Sequence, residues 1–119
     1  MNEVDMPDLA DHERAFRTKD GITVVVGVTK RQLGEGPADE GKTDLFLQAR
    51  SRVVDEDGET LSQPTPTGRT LDGDGMAEGR ISIPDQIGQL TMDAVRRARD
   101  HHRAVQAWEA LPVPEEERA

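Results

Sequence analysis

The 119-residue chain has no cysteine and no tyrosine, and it carries only one tryptophan, two phenylalanines and three lysines. The lack of cysteine excludes disulfides, thiolate catalysis, Cys-ligated zinc and iron–sulfur clusters together. No apolar run approaches the ~18 residues of a membrane-spanning helix, so no membrane contact is expected. The first ten residues are acidic, without a basic flank or an apolar stretch, and do not read as a secretion signal. The compartment stays open between the cytoplasm and a particle. Large apolar residues are also scarce: Leu, Ile, Val and Phe make up about 20 % of the chain, near the border below which charged sequences stay disordered. A thin core is the first physical constraint.

What is abundant is acid. Twenty-four Asp and Glu against fifteen Lys and Arg leave a formal charge of −9. That balance opposes general nucleic-acid affinity, which needs a cationic face. The length suits one domain. Its expected layout is an acidic extended arm over residues 1–13, an α+β body over 14–111 and an acidic tail over 112–119.

Residues 1–13 hold too few apolar side chains for a strand, and Pro7 interrupts any helix. Residues 14–18 suit a short strand, with Lys19-Asp20-Gly21 as a turn. Residues 22–33 give the clearest strand: Ile22, Val24, Val26 and Val28 share one face, and Thr23, Val25, Gly27 and Thr29 the other. A Gly/Pro/acid loop over 34–42 leads to a second strand over 43–55, in which Leu45, Leu47, Ala49 and Val53 alternate. Asp55-Glu56-Asp57-Gly58-Glu59 reads as a hairpin turn, with a return strand near Thr60 and Leu61. Residues 62–79 are rich in Pro, Gly, Thr and Asp; they read as a long flexible loop with at most a short strand at 69–71. A short strand is expected over 80–83, ending at Pro84.

Residues 85–111 predict a helix. Ile87, Leu90, Ala94, Ala98, His101, Val105 and Trp108 recur at spacings of three and four, and Pro112 and Pro114 stop the pattern. The fold class is therefore α+β: a small antiparallel sheet of three to five strands with one long C-terminal helix across a face.

Few motifs suggest chemistry. Gly36-Pro37-Ala38-Asp39-Glu40-Gly41-Lys42-Thr43 satisfies the phosphate-loop pattern and comes after a strand. Yet Asp39 and Glu40 would face the phosphates, and the segment after Thr43 alternates like a strand, so no helix N-terminus completes the site. The loop is read as a strand connection, and nucleotide binding through Lys42 is the outlying enzyme reading. The Asp-Gly clusters at 55–58 and 72–75 miss the register of a calcium loop; a weak divalent site at Asp72, Asp74 and Glu78 is the most they offer. His101 and His102 point about 100° apart on a helix and do not share a metal. Nothing marks Ser51, Ser62 or Ser82 as a nucleophile, so no catalytic residue, cofactor or metal is assigned.

The predicted helix carries the one local charge inversion. Arg96, Arg99 and Arg103 share a face, and two readings stand even: a solvated face with Arg96–Asp100 and Asp93–Arg97 pairs, or a docking stripe for an acidic surface. Length points elsewhere on the same helix. Twenty-seven residues span about 40 Å, whereas a strand of five or six residues spans ~17–20 Å. The apolar stripe therefore outruns its sheet. Arg96, Arg99, His101, Arg103, Val105, Trp108 and Leu111 are the expected partner-binding residues.

The expected function is a non-enzymatic structural or assembly protein, a small subunit of a homo- or hetero-oligomer such as a virus- or phage-tail-like particle. The alternative is a small regulatory module whose arginine face docks an acidic protein or nucleic acid.

Overall fold

A computed structural model of the chain describes residues 1–34 and 43–114. The architecture is α+β: an antiparallel, six-stranded curled sheet with one long C-terminal helix packed against it. In chain order the elements are β1 (Asn2–Val4), β2 (Glu13–Arg17), β3 (Thr23–Leu33), β4 (Asp44–Val54), β5 (Thr60–Ser62), β6 (Thr67–Leu71), α1 (Gly73–Ala77) and α2 (Ile83–Glu109). The strand order is β1-β2-β3-β4-β5, with β6 also pairing β4, so the sheet has one strand more than expected.

The β3–β4 hairpin is the frame. Eleven pairs run from Thr23↔Val54 to Leu33↔Asp44. Its β-branched run puts Val24, Val26, Leu47, Ala49 and Val53 on the face that meets α2, where Leu90, Ala94, Val95 and Ala98 are buried. The loop with the phosphate-loop pattern falls at 36–42, outside the described residues. Immediately after Thr43 the chain enters strand β4, antiparallel to β3, rather than a helix.

Several expectations need correction. The N-terminal stretch, read as a free arm without a strand, forms β1 against β2, and its Val4, Met6 and Leu9 pack on Ala15, Val25 and Val54 on the sheet's other face. Three modest side chains suffice because the sheet already presents an apolar patch to cover. The stretch 62–79, read as a flexible loop with at most a short strand at 69–71, holds a five-residue strand, β6, and the helix α1. Leu71 of β6 pairs with Leu45 and is buried, which a sequence poor in alternation did not reveal. Asp72 caps α1 by accepting from Gly75 N–H at 3.0 Å. Gly73 lies so close to Thr43 that a Cβ there would come within 2.5 Å of its carbonyl oxygen.

Residues 80–83 are no strand. The Arg80 and Ile81 amides donate to Gly75 O at 2.9 and 3.1 Å, closing the end of α1. Ser82 then caps α2, its hydroxyl accepting from Asp85 N–H at 3.4 Å. The cap starts the helix at Ile83, two residues early, with Pro84 in the first turn where its missing N–H costs nothing. The Asp55 turn forms as its residues dictate: Asp55 Oδ1 accepts from the Asp57 and Glu59 amides, both at 2.9 Å, and Gly58 supplies φ +83°.

Candidate functional site

Two cross-links tie the C-terminal half of α2 to the sheet. Ser62 Oγ on β5 and His102 Nδ1 share a hydrogen bond at 2.8 Å. Arg103 donates to Asp20 in the β2–β3 turn, and Asp20 also accepts from the Thr18 hydroxyl. The Thr18 hydroxyl first, and then the Arg103 charge, hold the Asp20 carboxyl below its ordinary range. His102 is the last buried residue of α2. Beyond it the helix runs on for seven residues with no buried side chain, because the sheet ends.

The consequence is an exposed apolar end. Trp108 is 75 % exposed, Leu111 61 % and Val113 51 %, while Val105 is half-buried. Val105 and Trp108 are three residues apart on α2, so they are neighbours on its surface, and Leu111 follows just past the helix end. Of the seven expected partner-binding residues, these three lie at the C-terminal end of α2, Trp108 and Leu111 exposed and Val105 half-buried. His101 is half-buried at its inner border.

The three arginines go elsewhere. Arg96 pairs with Asp93 at 2.5 Å, Arg99 with Asp100 at 3.1 Å and Arg103 with Asp20. The expected Arg96–Asp100 and Asp93–Arg97 pairs are not the ones formed; Arg97 donates to the Thr65 hydroxyl at 2.8 Å instead. Each guanidinium of the supposed docking stripe thus already has a carboxylate. Such exposed pairs stabilise little, but they remove the free charge an acidic partner would seek.

Sequence reasoning missed the Ser62–His102 pair, whose members lie forty residues apart and carry no motif. His102 borders a half-open cavity of about 720 Å³, with Arg17, Ile22, Val53, Asp55 and Leu61 among its walls. Ser62 is not among the lining residues, and among the described residues no carboxylate orients the imidazole. The hydrogen bond fastens β5 to α2. Asp72 is spent as a helix cap, and among the described residues no three metal-ligating side chains converge. No helix of the described residues is long and apolar enough to cross a membrane. No family model, curated protein or solved structure matches the chain.

Proposed function

We propose that this protein is a non-enzymatic assembly subunit that joins its neighbours through the end of α2, as a component of a larger oligomer such as a virus- or tail-like particle. One observation carries the reading. Trp108, Leu111 and Val113 stand in water at the end of a helix that outruns its sheet, on a chain with few large apolar residues to spare. A tryptophan surrounded by smaller apolar side chains is the common make-up of an interface anchor, and contiguous exposed apolar surface marks contact sites. The alternative, a regulatory module using Arg96, Arg99 and Arg103, is less favoured because those cations are engaged within the chain.

The test is light scattering coupled to size exclusion, with Trp108 emission tracked against concentration. The reading expects a mass above the 13.1 kDa of one chain at micromolar concentration, a blue shift of the emission on association, and persistence in high salt, which strengthens apolar contacts and screens charged ones. Trp108→Ala is expected to return the protein to one chain. A single-chain mass at every concentration, with emission fixed at the wavelength of a solvated indole, overturns self-assembly.

A further inference from the structure

Among the described residues, the opposite end of the sheet carries a second unpartnered feature, of different chemistry. β2 pairs with β3 only from Thr23 to Gly27, whereas β3 continues to Leu33. Among the described residues, positions 28–31 of β3 therefore have β4 on one side and no strand on the other. A bare edge of this kind presents alternate backbone N–H and C=O groups to any extended chain. Thr29, Lys30 and Arg31 are exposed along it.

Charge selects what fits. Among the described residues Lys30, Arg31 and Arg50 meet no carboxylate, although the chain is strongly acidic and all the ion pairs are made by other arginines. Arg31 lies over the Phe46 ring, 5.6 Å from its centroid. That ring in turn covers Gly68, where a Cβ would collide with it. Thr29, Lys30, Arg31, Phe46 and Gln48 line a shallow groove of about 210 Å³ over the β3–β4 pair, to which the bare stretch of β3 contributes Thr29 and Arg31. Lys30 and Arg31 are consecutive, so they project to opposite faces of the sheet.

We propose that this edge binds an extended acidic segment of a partner protein, which adds as a further strand beside residues 28–31 and sets two consecutive carboxylates on Lys30 and Arg31. Backbone pairing supplies the geometry and the two cations supply the choice of sequence. Self-pairing of two such edges is disfavoured, because it would bring Lys30 and Arg31 of both copies together. Nucleic acid fits the bare strand less well, since its backbone cannot complete the ladder and the net charge of −9 repels it. The surface is remote from Trp108, and the proposal stands apart from the assembly reading.

The experiment is fluorescence anisotropy with labelled Val-Thr-Glu-Glu-Val-Thr, run beside the same peptide with Lys for Glu, an N-methylated copy that cannot pair as a strand, and a thymidine dodecamer. The Glu peptide is expected to bind and the other three to bind at least about tenfold more weakly. The double variant Lys30→Glu with Arg31→Glu is expected to weaken the Glu peptide by about tenfold or more, while keeping the far-UV circular dichroism of the parent. Arg80→Glu, an equal change of charge per site at an exposed position away from the groove, is expected to leave binding unchanged. No binding of the Glu peptide, equal binding of the methylated copy, indifference to the double variant or preference for the oligonucleotide each overturns the proposal; the first would leave Lys30 and Arg31 as guards against unwanted edge pairing.

Discussion

The middle and the end of α2 carry the same apolar rhythm and meet opposite fates. Leu90, Ala94, Val95 and Ala98 are buried against β3 and β4, whereas Trp108 and Leu111, further along in the same direction, lie in solvent. Helical periodicity states which side chains share a face, not whether anything lies opposite that face. Here the sheet decides, and it stops near the Ser62–His102 and Asp20–Arg103 fastenings. Burial along an amphipathic helix is thus a property of the partner layer, and an excess of stripe over sheet is itself informative.

The same substitution at the two ends breaks the comparison most severely. Leu90→Ala removes a buried side chain and leaves a cavity, with an expected cost of about 2–5 kcal/mol. Leu111→Ala is expected to stay within about 0.5 kcal/mol of the parent when both are measured as single chains. Urea denaturation of both variants, monitored by circular dichroism, measures the contrast; equal losses would show that the terminal turns are covered after all. Next in size is Gly73→Ala. Its Cβ would sit 2.5 Å from the Thr43 carbonyl oxygen, a backbone atom that cannot turn aside. About 1–3 kcal/mol is expected from overpacking of this sort, measured as a lowered urea midpoint.

Acid sharpens the comparison by loosening fastenings instead of the core. Glu13 is pulled toward a higher pKa by partial burial, but the Ala10 amide and the Arg52 guanidinium outweigh this, and its net shift is downward from 4.5. Asp20 is shifted downward from 3.8. A carboxyl with a lower pKa in the folded state binds its proton more readily when unfolded, so stability rises with pH through this range. The contribution is complete above the ordinary values and is lost as pH falls below about 4.5 through the depressed ones. Unfolding midpoints between neutral pH and about pH 3 are expected to fall accordingly, and Asp20→Asn is expected to make that fall shallower. An unchanged slope would remove Asp20 from the account. At concentrations low enough for the parent to be a single chain, a small effect on stability, within about 0.5 kcal/mol, is expected from Trp108→Ala, although the same change is expected to abolish association at higher ones.

Much of the frame was legible because it rests on local periodicity. The alternation of Ile22, Val24, Val26 and Val28, the Asp55–Gly58 turn and the three–four stripe of α2 are all patterns within one element. The exposure of Trp108 was expected from strands of five or six residues, but β3 and β4 have eleven; Trp108 is exposed because α2 runs past the end of the sheet at the Asp20 turn, where Arg103 is tied. β1 and α1 were not legible, and β6 only in its last three residues, 69–71, since each is five residues or fewer and owes its shape to a distant neighbour: Val4 to Ala15, Leu71 to Leu45, Gly73 to Thr43. The region 80–83 misled for a related reason. Ile81 and Ile83 alternate as a strand would, but Ser82 caps a helix and Ile81 packs over Gly75.

By itself, then, the order of residues determined that a valine-rich hairpin and one long amphipathic helix would form, that cysteine chemistry was excluded, and that apolar material would be scarce. Tertiary structure alone decided how far the sheet reaches along the helix, which carboxylate each paired arginine finds, and which strand edge is bare among the described residues. Those outcomes depend on contacts between residues tens of positions apart, whose free energy exists only once the chain has closed on itself.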